Sequence, residues 1–212
     1  MRTLKLYLFL LLTFVINPAS AENTNPRILV VGDSLSAAYG IDIDKGWVKL
    51  LQHTLDQEQK MLKQHWQIIN ASVSGETSSG GRTRLKALLD EHQPQVVILE
   101  LGGNDGLRGQ PLKILRDNLQ YMITQSKTAG ASVILAGMQI PPNYGARYAR
   151  QFQQLYSELA GQHQVALIPF LLEGIPTRAE LMQRDGIHPT EEAQPLIVDN
   201  VKPVLLDVLK TH

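Results

Sequence analysis

Short runs of apolar residues recur between residues 27 and 170, and each is too short to be a typical buried helix. Most of them are continuously apolar, whereas a strand with one face in solvent alternates apolar and polar residues. Continuous runs of this length predict strands that are covered on both faces, as in a parallel sheet flanked by helices. The predicted strands are Ile28–Val31, Trp66–Asn70, Val96–Leu101, Val133–Ala136 and Val165–Pro169.

Between these runs, apolar residues recur at the spacing of three and four that places them on one face of a helix. Strands and helices therefore alternate, which predicts an α/β fold in which a five-stranded parallel sheet lies between two layers of helices, a three-layer α/β/α sandwich. The helical stripes are Trp47, Leu50, Leu51, Leu55 and Leu62; Leu85, Leu88 and Leu89; Leu112, Leu115, Leu119, Met122 and Ile123; and Tyr148, Phe152, Leu155, Tyr156 and Leu159.

Polar residues and prolines indicate where two of the helices begin and where one is weak. Ser78 or Ser79 is expected to cap the second stripe. A last helix is expected to begin at Thr190, with two glutamates in its first turn, where carboxylates favour the positive end of the helix dipole. Pro195 and Pro203 are expected to disturb that helix.

The beginning of the chain has the layout of a secretory signal peptide. Arg2 and Lys5 precede an apolar run of 11 residues, Leu6–Ile16, and an A-x-A cleavage site ends at Ala21. Eleven apolar residues are well short of the roughly 20 that span a bilayer as a helix, so cleavage is favoured over a membrane anchor. We therefore expect a periplasmic or secreted protein with a signal peptide over residues 1–21 and a single domain over residues 22–212.

Composition excludes several classes of protein. Hydrophobic residues make up 43% and charged residues 19% of the chain, which is ordinary for a globular domain and wrong for a disordered one. Loss of Arg2 and Lys5 with the signal peptide leaves 18 basic against 20 acidic residues, so no nucleic-acid partner is expected. The chain has no cysteine, which excludes disulfides, a cysteine nucleophile and thiolate metal sites.

Glycine-rich polar segments follow the predicted strands. In open parallel sheets, ligands bind in the crevice beyond the carboxyl ends of the strands, so we expect these segments to converge on one site. They are Gly32–Ser36, Ala71–Thr77, Gly102–Gly106, Gly137–Gly145 and the stretch that ends in Asp185–Pro189.

Ser34, Asp185 and His188 in those segments are candidates for nucleophilic catalysis. Taken alone, each also fits an ordinary role in a cap, a turn or the surface. Together they meet a chemical requirement, because a serine hydroxyl is inert at neutral pH without a base to take its proton. The Asp-x-x-His spacing allows one loop to present both side chains, so that Asp185 would orient His188.

Acyl transfer also needs donors aimed at the oxygen that becomes negatively charged in the tetrahedral intermediate. The candidates are the backbone N–H groups of Ser34, expected at the start of a helix, and of Gly75, together with the side-chain amide of Asn104. Gly75 and Asn104 fit ordinary turn chemistry equally well when each is taken alone.

Four of the segments resemble, in order, the sequence blocks of the GDSL, or SGNH, hydrolases. The resemblance runs from about Arg27 to the last helix. Gly106-Leu107-Arg108-Gly109 and the segment from Met138 to Gly145 look especially like the family's bacterial periplasmic thioesterases, which also act as lysophospholipases and arylesterases. The matching segments are Gly32-Asp33-Ser34-Leu35-Ser36, Asn70-Ala71-Ser72-Val73-Ser74-Gly75, Gly102-Gly103-Asn104-Asp105 and Asp185-Gly186-Ile187-His188-Pro189.

The resemblance implies a flavodoxin-like SGNH hydrolase fold and a serine esterase or thioesterase that works through an acyl-enzyme. It implies that Ser34 is the nucleophile, His188 the base and Asp185 its partner. Ser34, Gly75 and Asn104 would form the oxyanion hole, and aryl esters, acyl-CoA and lysophospholipids would be substrates. No cofactor, no metal and no stable membrane anchor are expected, and a monomer is favoured.

The segment from Met138 to Gly145 is the candidate wall of the substrate site. Its prolines limit its freedom, while Gly145 permits a hinge. The candidate substrate-binding residues are Met138, Ile140, Pro141, Pro142 and Tyr144, with Arg108 as a candidate contact for an anionic head group.

Three alternatives remain open at the level of the sequence. The first is a carbohydrate acetylesterase of the same family. The second is a non-enzymatic receiver-like module, although such modules gather several acidic residues at one strand end and Asp33 stands alone in its segment. The third is a metal-dependent hydrolase with Asp185, His188 and either Glu191 or Glu192 as ligands, although only one histidine lies in that cluster.

Overall fold

A computed structural model describes residues 25–212, and these residues form one sheet of five strands. The predicted signal peptide, residues 1–21, lies outside the described residues. Each strand overlaps a predicted one, and β3 is buried along its whole length, as a continuous apolar run requires. The strands are β1 (Arg27–Gly32), β2 (Gln67–Asn70), β3 (Val96–Glu100), β4 (Ser132–Ala136) and β5 (Ala166–Ile168).

The strands lie in the order β2-β1-β3-β4-β5, and all neighbouring pairs are parallel. The chain therefore goes from β1 to β2 at one edge of the sheet, then returns to β3 and continues through β4 to β5 at the other edge. The direction reverses between β1 and β3, and in doubly wound sheets of this order the ligand crevice opens there, beyond the carboxyl ends of the strands. Gly32 at the end of β1 pairs in register with Glu100 at the end of β3, so these two residues lie side by side at this edge of the sheet.

Helices cover both faces of the sheet. Helix α1 packs against α6, while α4 packs against both α2 and α5. This arrangement confirms the predicted three-layer, flavodoxin-like architecture. The α-helices of the described residues are α1 (Trp47–Leu62), α2 (Ser78–His92), α3 (Gly103–Leu107), α4 (Leu112–Thr128), α5 (Ala146–His163) and α6 (Gln194–Leu209).

Two features of the helices differ from the expectation. The short helix α3 is not predicted, because five residues cannot show a repeating apolar stripe. Helix α2 is capped by Thr77, not by Ser78 or Ser79, since the Thr77 hydroxyl accepts the backbone N–H of Gly80 at 3.4 Å. Both features matter for the site, because α2 and α3 follow the loops at the ends of β2 and β3.

The last helix begins later than expected. Residues 191–193 form a 3-10 turn, and α6 starts at Gln194, four residues after Thr190. Pro195 lies in the first turn, where its missing N–H would have had no helical partner. The helix continues through Pro203 to Leu209, so the prolines do not interrupt it as expected. Contacts with α1 and with the sheet hold the helix in place.

The core fills the spaces between the sheet and its two helical layers. Trp47 of α1 and Phe152 and Tyr156 of α5 are among its largest fully buried side chains. Between residues 25 and 212, each helix is too short or too polar to cross a bilayer.

Candidate active site

Ser34 lies in a tight turn that directly follows β1. The backbone N–H of Ala37 donates to the Asp33 carbonyl at 3.0 Å, and that of Tyr39 donates to the Ser34 carbonyl at 3.1 Å. The turn does not continue into a helix, because α1 begins only at Trp47. The expectation that Ser34 begins a helix is therefore wrong, and its N–H is presented by an isolated turn.

The predicted serine, histidine and aspartate lie within hydrogen-bonding distance of one another. His188 Nε2 is 2.9 Å from Ser34 Oγ, and His188 Nδ1 is 2.7 Å from Asp185 Oδ2. An ionised carboxylate can only accept, so Nδ1 donates to Asp185 and Nε2 is left to accept the serine proton. The imidazole therefore has the orientation that a general base for acyl transfer needs.

Backbone contacts shape the loop that carries Asp185 and His188. Its ends are joined by a β-bridge between Met182 and Pro189. Asp185 Oδ1 accepts the backbone N–H groups of Ile187 at 2.9 Å and His188 at 3.0 Å. Partial burial acts to raise the pKa of Asp185, but hydrogen bonds from His188 and Ile187 outweigh it and lower the pKa to about 2. The carboxylate is therefore ionised at neutral pH.

Tyr39 and Gln183 connect the serine loop to the histidine loop. The Tyr39 ring packs against the His188 imidazole, with ring centroids 4.5 Å apart. Gln183 Nε2 donates to the carbonyls of Tyr39 at 2.9 Å and Pro189 at 3.0 Å. These contacts help to hold His188 at its distance from Ser34. Sequence reasoning does not identify them, because a single tyrosine or glutamine in a loop carries no pattern.

Gly75 and Asn104, the other predicted oxyanion donors, follow β2 and β3. Gly75 has a φ of +78°, and a Cβ added to it would meet nothing within 4 Å, so the space beside its backbone is open to a substrate. Asn104 lies in α3 and donates from Nδ2 to Asp33 Oδ2 at 3.1 Å. Arg108, which is exposed, donates to the Gly75 carbonyl at 3.1 Å.

Two buried carboxyl groups lie next to the turn that carries Ser34. Asp33 and Glu100 are 2% and 0% exposed. Glu100 Oε2 accepts the Asp33 backbone N–H at 3.1 Å and lies 2.6 Å from Ser36 Oγ. Burial, together with the charge of Asp33, raises the pKa of Glu100 well above its ordinary value, and burial raises the pKa of Asp33 to about 6. At neutral pH, Asp33 with a pKa of about 6 is mostly ionised, whereas burial disfavours the charged form of Glu100.

The expectation that Asp33 stands alone at its strand end is wrong, because Glu100 lies beside it. The signal for Glu100 was present in the sequence as a single acidic residue inside the apolar run Val96–Leu101. Its contact with β1 also explains Gly32, since a Cβ at that position would overlap the Glu100 side chain.

A second buried network fixes α3, the helix that carries Asn104. Asp105 is 1% exposed and accepts both the backbone N–H of Ser78 at 2.8 Å and its hydroxyl at 2.5 Å. The Ser78 hydroxyl in turn accepts Asn118 Nδ2 at 2.9 Å. These bonds connect α3 to α2 and α4, so the position of Asn104 is set by three helices.

The candidate wall residues fall into a buried and an exposed group. Met138 and Ile140 are buried and pack against α3, where a Cβ at Gly106 would overlap Ile140. Pro141 and Tyr144 are exposed, and residues Pro142–Tyr144 form a 3-10 turn. Their contact with a substrate stays a prediction.

The ligand set of the metal-dependent alternative is not assembled here. Within residues 25–212, no three His, Asp or Glu side chains are grouped closely enough to hold a metal ion. Glu191 and Glu192 lie in the 3-10 turn before α6, and Glu191 Oε1 accepts the backbone N–H of Asp42 at 3.5 Å.

Residues 30–195 match the model of the GDSL-like lipase/acylhydrolase family. The chain belongs to this family. Esterase TesA of Pseudomonas aeruginosa is 46% identical over 209 residues, which cover 99% of this chain and 100% of TesA. Thioesterase 1/protease 1/lysophospholipase L1 of Escherichia coli K12 is 41% identical over 191 residues, which cover 90% of this chain and 87% of that protein.

A solved structure agrees with the fold. The psychrotrophic esterase EstA from Pseudoalteromonas sp., in a crystal structure inhibited by monoethylphosphonate, superposes with a TM-score of 0.82 at 42% identity. The match covers 88% of this chain and 100% of the EstA chain.

The chain is therefore an ester hydrolase of the GDSL family, as the sequence predicts. These relatives support that prediction and support neither the carbohydrate acetylesterase nor the receiver-like module.

Proposed function

We propose that this chain is an exported serine hydrolase that cleaves acyl esters and thioesters in two steps through an acyl-enzyme on Ser34. One observation carries the proposal: His188 lies between Ser34 Oγ at 2.9 Å and Asp185 Oδ2 at 2.7 Å. This is the arrangement in which a base takes the serine proton while a carboxylate stabilises the imidazolium that forms.

In the acylation step, Ser34 Oγ attacks the carbonyl carbon of the substrate as its proton moves to His188 Nε2. The carbonyl π electrons move to the oxygen, which becomes an oxyanion. When the tetrahedral intermediate collapses, the C–O or C–S bond to the leaving group breaks, and the leaving group takes the proton from His188. Asp185 remains ionised throughout, which its lowered pKa of about 2 favours.

In the deacylation step, water replaces the leaving group. His188 Nε2 takes a proton from the water while its oxygen attacks the acyl carbon. The second tetrahedral intermediate then releases the fatty acid, and Ser34 regains its proton. In both steps the oxyanion would be held by the backbone N–H groups of Ser34 and Gly75 and by the amide of Asn104.

Exposed side chains on the loops at the carboxyl ends of the strands support the proposed substrate class. Tyr39, Val73 and Tyr144 lie on loops that follow β1, β2 and β4, and Ile187 lies on the loop of His188. All four side chains are exposed, by 52%, 50%, 43% and 42% in that order. They suit an acyl chain or an aryl group. Arg108 beside Gly75 suits an anionic head group, such as the phosphate of a lysophospholipid or of coenzyme A. The names of the relatives, an esterase and a thioesterase/lysophospholipase, support the same range.

We further propose that the mature protein begins after Ala21, is periplasmic or secreted, and works as a monomer without nucleic acid, cofactor or metal. The signal-like layout of residues 1–21 supports export. The cluster of Ser34, Asp185 and His188 is assembled within a single chain, which supports action as a monomer.

The test combines labelling with a substrate panel. A fluorophosphonate probe is expected to label the protein at Ser34, and Ser34→Ala is expected to abolish labelling and to lower turnover by about 10⁴–10⁶. The panel consists of p-nitrophenyl esters and acyl-CoA thioesters of increasing chain length. A Ser34→Ala protein with full activity, or a label on another residue, would refute the proposal.

A further inference from the structure

We propose that Asp33 is a positioning residue for the reaction: it holds the Asn104 side-chain amide in the one orientation that directs an N–H group at the oxyanion. This inference rests on the proposed function, because it assigns Asp33 a task only if Asn104 donates to that oxyanion. Asp33 itself touches neither the substrate nor the reacting atoms.

The Asp33 carboxylate fixes the orientation of the Asn104 amide. Asp33 Oδ2 lies 3.1 Å from Asn104 Nδ2, and Asp33 Oδ1 accepts the backbone N–H of Leu35 at 3.1 Å. An ionised carboxylate has no proton to donate, so only the nitrogen end of the Asn104 amide can face it. An amide nitrogen carries two N–H groups, and the bond to Asp33 uses one of them. The other is left for the oxyanion.

The reverse orientation of the amide would act against catalysis. If the Asn104 side chain rotated by 180°, its carbonyl oxygen would take the place of the nitrogen. A partly negative oxygen would then lie near Asp33 and near the developing oxyanion, and both contacts would be repulsive. The charge on Asp33 therefore selects the orientation that catalysis needs.

Asp33 is itself held in place by its surroundings. Glu100 Oε2 accepts the Asp33 backbone N–H at 3.1 Å, which fixes the backbone on one side. On the other side, the start of α3 lies next to the carboxylate, since a Cβ added at Gly103 would be 3.3 Å from Asp33 Oδ2. A buried carboxylate with hydrogen bonds to both oxygens is a rigid reference point for the neighbouring amide.

The ionisation of the two carboxyl groups supports this role. Burial raises the pKa of Asp33 to about 6, while the hydrogen bonds from Leu35 and Asn104 and the charge of His188 oppose that rise. Burial and the charge of Asp33 raise the pKa of Glu100 well above its ordinary value, which favours a negative charge on Asp33 over one on Glu100. The bond from Asn104 to an ionised Asp33 is charge-assisted.

An amide at position 33 cannot replace the carboxylate. Asp33→Asn has nearly the same shape but supplies one accepting oxygen where the carboxylate supplies two. If that oxygen keeps the backbone bond to Leu35, the new NH₂ group faces Asn104 and favours the rotated amide. We therefore expect Asp33→Asn to lower kcat by about 10–10², with KM almost unchanged, because the lost interaction is made in the transition state.

The test is a double-mutant cycle that measures kcat and KM with p-nitrophenyl butyrate at pH 7.5. Asn104→Ala alone is expected to lower kcat by about 10²–10³. If Asp33 acts through Asn104, adding Asp33→Asn to Asn104→Ala changes kcat by less than about 3-fold, because the amide to be positioned is already gone. If the two losses multiply, Asp33 acts by another route and the inference is wrong.

Ser36→Ala is the matched control. It removes a buried hydroxyl that lies 2.6 Å from Glu100 Oε2 in the same network but that makes no hydrogen bond with Asn104 among the described residues. We expect it to lower the melting temperature while kcat stays within about 3-fold of the parent protein. An equal loss of kcat in Ser36→Ala and Asp33→Asn would indicate general damage to the turn and would overturn the inference.

These measurements, together with those on Ser34→Ala, distinguish a failure of the positioning role of Asp33 from a failure of the proposed function. An inactive Ser34→Ala protein together with multiplying losses at positions 33 and 104 leaves the proposed function intact and refutes the positioning role alone. An Asn104→Ala protein with normal kcat refutes both the oxyanion role of Asn104 and the role of Asp33. An active Ser34→Ala protein refutes the proposed function itself.

Discussion

The burial of Asp33 predicts a specific dependence of stability on pH. Its carboxyl group is 2% exposed, and burial raises its pKa from 3.8 to about 6. Between those two pH values the folded protein binds more protons at this site than the unfolded chain does. The free energy of unfolding therefore falls as the pH rises through this window, and Asp33→Asn removes that fall.

The size of the effect follows from the shift in pKa. A shift of one unit corresponds to about 1.4 kcal/mol, so the rise from 3.8 to about 6 corresponds to a loss of about 3 kcal/mol. This loss in the free energy of unfolding of the parent protein is absent below pH 3.8 and complete above about pH 6. Near pH 4 the folded carboxyl group is protonated and, like an amide, offers one carbonyl oxygen as an acceptor, so Asp33→Asn should be about as stable as the parent. Near pH 7.5 the variant avoids the loss that the parent suffers and should be more stable, by up to about 3 kcal/mol.

Other titrating groups near Asp33 are retained in the variant. His188 and Asp105 act on its charge, and Glu100 and Tyr156 are affected by it. Burial raises the pKa of Tyr156 well above its ordinary range, so this group stays protonated across the window. Burial and the charge of Asp33 both raise the pKa of Glu100, and the variant lacks that charge, so the difference between parent and variant reports on the Asp33–Glu100 pair.

Urea unfolding at several pH values between 4 and 7.5 measures this difference. The two tryptophans of the chain, Trp47 and Trp66, are 0% and 2% exposed, so their fluorescence should report loss of the core. Asp207→Asn is the control, because that carboxylate is 76% exposed and its replacement should shift the curve by less than about 1 kcal/mol at any pH. Parallel curves for the parent and Asp33→Asn would show that Asp33 does not titrate in this window and would refute the reasoning.

Three further predictions concern other parts of the site. Asp185→Ala should lower kcat/KM with p-nitrophenyl butyrate less than His188→Ala does, because the base itself remains; an equal or larger loss would contradict the supporting role of the aspartate. Ser78→Ala should lower the free energy of unfolding in urea by about 1–3 kcal/mol, because Asp105 is left buried with one donor fewer, and an unchanged value would show that the network adds nothing to stability. Tyr144→Ala should change the ratio of kcat/KM between short and long p-nitrophenyl esters, and a constant ratio would remove this residue from the acyl site.

Most of the fold can be predicted because it depends on patterns that repeat over many residues. Continuous apolar runs indicate buried parallel strands, and apolar stripes indicate the longer helices. The positions of Ser34, His188 and Asp185 follow from the same logic, since ligands collect at the carboxyl ends of such strands. Pattern reasoning fails where an element is short or its ends depend on a single contact, as in α3 and the cap at Thr77.

The supporting residues cannot be predicted, because each acts through one contact between segments distant in the chain. Gln183 joins its own loop to Tyr39, which is 144 positions away. Glu100 contacts Ser36 across 64 positions, and Asp105 contacts Ser78 across 27. Only the lone acidic residue in the β3 run marks one of them in the sequence, and its partner becomes visible only through the register of β1 and β3.

The two experiments on Asp33 together distinguish a structural residue from one that serves catalysis. When a residue that only stabilises the fold is replaced, the protein should lose stability and activity together. Replacement of Asp33 near pH 7.5 is expected to lower activity without lowering stability. Burying the charge of Asp33 costs about 3 kcal/mol by the shift in its pKa, while that charge orients the Asn104 amide. A variant that is at least as stable as the parent, yet slower by about 10-fold or more, would show that the protein gives up stability for the geometry of its active site.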